Sequence, residues 1–241
     1  MATSERSFRD RENKARDLCN AITGFTPAFA PPNAAINVAN FTLLVAQAKT
    51  VNDTVDGISG TYTTDAQTRT DLIKTVRKRV TQALSYIKSN TAWKSSCKAA
   101  KMAADKLRGI HPPGPKLPPP PPEGGASPEE EKRRNKGEMA YLELEGHFRK
   151  FVGVCEDAPG YAPTAAEITL GTLNGLLSQL SGLNQSLSVQ GTQLTKAQQE
   201  RLILYYQENG LEEKFQLVKA AVKGQYGQAG ANYAAVKGMK W

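Results

Sequence analysis

The chain holds two histidines. His111 stands among prolines in HPPGP, and His147 stands alone in LEGHFRK. Neither has a Cys, His or acidic partner at the spacing that a metal ion needs. ELEGH is not the HExxH pair, and no GxSxG, P-loop or GxGxxG stretch occurs. Cys19, Cys97 and Cys155 lie far apart with no CxxC. Such an odd, sparse set predicts reduced thiols and a cytoplasmic protein. Cys97 falls on an apolar helical stripe, so we expect it in a core. Acids are scattered over polar faces. The expectation is therefore a non-catalytic chain with no cofactor and no metal.

Charge is the more informative chemistry. Between Arg69 and Arg108 stand eleven bases and only two acids, Asp71 and Asp105. Lys94, Lys98, Lys101 and Arg108 follow the i, i+4, i+7, i+14 spacing of one helical ridge. With Lys74, Arg77 and Lys78 they form a candidate surface for phosphates or for an acidic partner. No aromatic platform for stacking bases accompanies them, so sequence-specific recognition of nucleic acid is not expected. The opposite set lies later in the chain: Glu143, Glu145, Glu200, Glu208, Glu212 and Glu213. A basic face and an acid-bearing face on one polypeptide predict head-to-tail association of further copies, screened by salt. Self-association is the first expectation for a partner, and nucleic acid is the alternative. No apolar run approaches the roughly 20 residues of a membrane span, and the first residues lack the apolar segment of a secretory signal, so no membrane contact is expected.

These residues need elements to hold them, and the elements come twice. FAPPNAAINVANFTLLVAQAKTVNDTV opens at Phe29, and YAPTAAEITLGTLNGLLSQLSGLNQSL opens at Tyr161. A shift of 132 positions without a gap aligns Ala30 with Ala162, Ile36 with Ile168, and Asn52 with Asn184. Thr63, Gln67, Arg69 and Leu72 then meet Thr195, Gln199, Arg201 and Leu204. The apolar positions stay in phase throughout, which is the mark of an internal repeat. We expect a basic helical module at 1–108 and a near-neutral one at 138–241. The first carries 17 Lys and Arg against 9 Asp and Glu, and the second 9 against 10. Residues 109–137 between them are proline-rich and read as a stiff polyproline II spacer, or as a ligand for a domain that binds such helices.

Within each copy the spacing is helical. Asn33, or Thr164 in a Thr164–Glu167 capping box, should start a long helix, and glycines near Gly57, Gly60 and Gly191 should end it. New helices are expected from Thr64 and Thr195. A third, from about Ala92, should bury Trp93, Cys97, Ala100, Ala104 and Leu107. A break at Gly210 should precede a helix burying Leu211, Phe215, Val218 and Val222. Shorter helices should precede each long one, through Leu18 and Ile22 and through Phe151 and Val154. GQYGQAGANY, with Gly224, Gly227 and Gly230, reads as a loop. No segment alternates with period two. The predicted fold class is all-α: two tandem helical-hairpin modules packed as a pseudo-twofold bundle, as a fused homodimer would be.

Overall fold

The computed structural model describes residues 2–109 and 131–241. The proline run and His111 lie outside the described residues. The chain is all-helical, and no strand occurs among the described residues. Helix α1 spans Ala2–Thr23, α2 Val38–Ser89, α3 Lys94–Leu107, α4 Glu131–Asp157, α5 Leu170–Tyr206, α6 Leu211–Tyr226 and α7 Ala231–Lys237. The helix expected from about Ala92 is α3, reached through a 3-10 turn at Thr91–Trp93. The shorter helices expected ahead of each long one are α1 and α4.

Two expected helix ends are absent. Helix α2 runs for 52 residues straight through Gly57, Gly60 and Thr64, and α5 runs for 37 through Gly191 and Thr195. A glycine inside a helix costs only about 1 kcal/mol, too little to break a long helix that is packed elsewhere. The threonines read as caps are not caps. Thr64 lies in the interior of α2, and Thr195, inside α5, turns its hydroxyl back on the Gly191 carbonyl at 3.0 Å.

The true starts lie slightly later than expected. Asn33 caps the 3-10 turn Ala34–Ile36, and Asn37 accepts from the Asn40 amide at the start of α2. In the second copy Thr169 plays that part, accepting from the Thr172 amide, and Thr164 caps nothing. The break at Gly210 is present. Asn209 adopts a positive φ, and a Cβ on Gly210 would lie 2.7 Å from the Gln207 carbonyl. The segment read as a loop is instead a turn into α7. Gly227 ends α6 at φ 75° and opens the turn into that helix.

The described residues form two compact units. One joins residues 1–62 to 190–241, and the other is 63–189. Each unit takes the front of one sequence copy and the back of the other. In the first, Leu18 and Ile22 of α1 and Phe41 and Val45 of α2 pack with Leu211, Phe215, Val218 and Val222 of α6, and with Val236 of α7. In the second, Phe148, Phe151 and Cys155 of α4 and Leu173 and Leu177 of α5 pack with Val76, Val80, Ala83 and Ile87 of α2, with Trp93 of the 3-10 turn, and with Ala100, Ala104 and Leu107 of α3. The two stripes Val76–Ile87 and Leu211–Val222 share one i, i+4, i+7, i+11 spacing, and all eight residues are buried. Cys97, expected in the core, packs against it only half-buried.

The exchange extends to the turns. The Trp93 indole N–H donates to the Pro159 carbonyl at 3.0 Å, and the Tyr226 hydroxyl donates to the Pro27 carbonyl at 2.7 Å. Pro27 and Pro159 are themselves 132 positions apart.

Candidate functional site

One polar cluster is built in each unit from corresponding residues. In the second unit Arg69 on α2 is buried with its guanidinium 3.7 Å from the centre of the Tyr141 ring on α4. Its Nη1 donates to Asn184 Oδ1 at 3.3 Å, and Asn184 Nδ2 donates to Glu145 at 2.9 Å. Glu145 also accepts from Arg149, one helical turn on, at 2.9 Å. In the first unit Arg201 lies 4.2 Å from the Phe8 ring. Asn52 donates to Glu12 at 2.9 Å, and Glu12 pairs with Arg16 one turn on. Arginine and asparagine correspond at the 132-residue shift; aromatic, glutamate and second arginine correspond at 133. In each cluster the stacked arginine comes from the other sequence copy.

Electrostatics follow from this packing. Burial pushes the Glu145 carboxyl up, but hydrogen bonds from Asn184, Arg149 and Ser181 outweigh it and hold the group below its usual range. In the first unit Asn52 also donates to the Tyr205 hydroxyl at 2.8 Å. That phenol is fully buried against Phe8, with ring centres 4.9 Å apart, and burial pushes it up to about 12.

The clusters part company at their outer edge. In the first unit Arg9 bridges Glu12 at 3.1 Å, Asp53 at 2.7 Å and Asp56 at 2.9 Å, and Lys49 joins Asp53 at 2.6 Å. The corresponding residues of the second unit are Leu142, Gln185, Ser188 and Ser181. The ion-pair network is gone. A cavity of about 370 Å³ stands in its place, lined by Arg69, Leu142, Glu145, Ser181, Asn184, Gln185, Ser188 and Val189. Leu142 and Val189 are more than half exposed at its lip.

The basic residues expected to act together are divided in their duties. Lys94, Lys98 and Lys101 are exposed along α3, with no ion pair among the described residues. Lys78 is exposed on α2. Lys74 pairs with Asp71 at 2.8 Å. Arg77 donates to the Leu107 carbonyl at 2.9 Å, satisfying the end of α3. Arg108 holds Thr81 at 2.9 Å and faces Asp105 at 3.7 Å. Two lysines and a histidine that spacing did not single out gather across α3 and α4. Lys106, His147 and Lys150 line a hollow of about 290 Å³ with the exposed Met102. Burial, then Lys106 and Lys150, lower the His147 pKa.

The glutamates are divided too. Glu145 belongs to the polar cluster. Glu213 accepts from the Asn209 amide at 2.6 Å, in the turn before α6. Glu200 faces Lys196 at 3.9 Å. Glu143 and Glu208 are exposed and Glu212 is half-buried. Sequence spacing missed an apolar patch on α5. Leu202, Ile203 and Tyr206 are all more than 40% exposed, where the first copy has Thr70, Asp71 and Lys74. The signal was present in the alignment as three polar-to-apolar replacements.

Among the described residues, no group of three or more His, Cys, Asp and Glu is placed to hold a metal ion, and no helix is long and apolar enough to cross a membrane. All three cysteines are free thiols, and burial pushes Cys155 up to about 12. Comparison with protein-family models, with curated proteins and with solved structures finds no match to the chain.

Proposed function

We propose that the chain is a non-catalytic helical scaffold that acts through protein–protein contacts, assembling with further copies of itself. The observation that carries this reading is the Leu202, Ile203 and Tyr206 face of α5, exposed where the corresponding turn of α2 is Thr70, Asp71 and Lys74. An apolar face gained in one copy of a repeat and absent from the other is directional, as head-to-tail assembly requires. Glu143, Glu208 and the exposed lysines of α3 supply charges of opposite sign for the same contact. In this reading the two units are a pseudo-twofold pair, the fused equivalent of a homodimer whose subunits exchange halves, joined through the proline-rich linker. Light scattering of the full chain across concentration and salt tests it. Larger species should form at low salt, and exchanging Leu202, Ile203 and Tyr206 for Thr, Asp and Lys should remove them. A monomer under every condition overturns the proposal.

A second reading has one observation in its favour. Lys94, Lys98 and Lys101 are exposed on one helix with no ion pair among the described residues, so a phosphate backbone could lie along them. Replacing all three should then flatten log affinity against log salt by up to about three units of slope, whatever the base sequence.

A further inference from the structure

We propose that the cavity of the second unit binds a small free carboxylate bearing a short apolar group. The inference starts from what fills the corresponding space in the first unit. There Arg9 reaches across to Asp53 and Asp56, and Lys49 joins them, so the charges are paired by the chain's own side chains. In the second unit both signs of charge have been removed together. Leu142 replaces the bridging cation, and Gln185 and Ser188 replace the two acids. What is left is a hollow of about 370 Å³, within the range of small-molecule pockets.

The chemistry of its wall selects the ligand. Arg69 is only 7% exposed, and no carboxylate stands within ion-pair distance of it among the described residues. Among the described residues its Nε is buried without a hydrogen-bond partner, and its Nη1 has the long bond to Asn184. The Tyr141 ring supports the cation from one face but accepts no hydrogen bond in the guanidinium plane. Glu145 does not serve as counter-ion, because the Asn184 amide stands between, with its oxygen toward Arg69 and its nitrogen toward Glu145. Arg149 balances Glu145 from the other side. A buried guanidinium with no carboxylate beside it among the described residues calls for an anion, and a carboxylate is a planar one that hydrogen-bonds arginine well. Gln185 and Ser181 offer further polar contacts. The lip formed by Leu142 and Val189 suits a short branched or aromatic tail rather than a second charge.

The full chain should be titrated by calorimetry with 3-methylbutanoate, 4-methylpentanoate and benzoate, and with the matching neutral amides. We expect saturable binding of at least one acid, with its amide weaker by at least about tenfold. Arg69→Gln should weaken the acid by a similar factor. The triple exchange Leu142→Arg, Gln185→Asp, Ser188→Asp keeps Arg69 but rebuilds the first unit's network in the hollow, so it should abolish binding while the chain stays helical by circular dichroism. Val189→Trp, at a half-exposed position, should also block the mouth. Absence of saturable binding up to about 10 mM overturns the proposal. So does equal affinity for acid and amide, or binding that survives both folded cavity variants.

Discussion

The guanidinium of Arg69 lies 3.7 Å from the centre of the Tyr141 ring, and this stack joins the back of one sequence copy to the front of the other. The stack of Arg201 on Phe8 does the same in the other unit. A desolvated arginine over an aromatic face contributes about 2 kcal/mol. The double-mutant cycle of Arg69→Ala and Tyr141→Leu in urea unfolding should therefore show a coupling of about 1–2 kcal/mol. Arg69→Met should cost less than Arg69→Ala, because it keeps the packing volume and removes a charge that is expensive to bury. A coupling within error of zero would show that the two groups merely touch.

Glu145 gives a pH signature. Its folded carboxyl sits below the ordinary range, so the stability it contributes is present above the unfolded value. That contribution is lost as pH falls through the folded value. The melting temperature of the wild type should exceed that of Glu145→Gln at neutral pH, and the gap should close in the acid range. A gap that stays constant down to about pH 3 would contradict the assignment of that stability to the ionised group.

Two glycines of the C-terminal segment should respond in opposite ways. A Cβ on Gly230 would lie 2.2 Å from the Tyr226 carbonyl, so Gly230→Ala forces the turn between α6 and α7 open. We expect a loss above about 2 kcal/mol. Gly224 lies inside α6 with nothing within 4 Å of the added methyl, and Gly224→Ala should gain up to about 1 kcal/mol from helix propensity alone. Thermal unfolding of the two variants separates these outcomes, and equal effects would refute the geometry of the turn.

Much of the helical content was legible because apolar spacing is local. Leu211, Phe215, Val218 and Val222 were readable as one face, and all are fully buried. Trp93, Ala100, Ala104 and Leu107 were too. The helix ends at Gly57, Gly60 and Gly191 were misread because a glycine signals a stop only when nothing else holds the helix. The identities of Asn52 with Asn184 and of Arg69 with Arg201 stood in the alignment, but their meaning did not. Their partners Glu12 and Phe8 lie upstream of the aligned stretch, at a shift that differs by one. Nor does any local pattern tell a lysine on open helix surface, such as Lys98, from an arginine committed to a helix end, such as Arg77. That difference is made by a carbonyl thirty residues away.

If each unit folds as a whole, the division of the chain into residues 63–189 and the two segments that flank them implies an order of events during synthesis. Everything the second unit needs has left the ribosome once Val189 has emerged. The first unit must wait for α6 and α7, so α1 and the opening turns of α2 travel for most of translation without Phe215, Val218 and Val222 to cover them. Because domains fold as units and growing chains emerge from the N-terminal end, the later stretch of sequence closes first and the earliest stretch closes last. On that order Leu18, Ile22 and Phe41 wait longest for their apolar partners, and a chaperone acting during synthesis is expected there first.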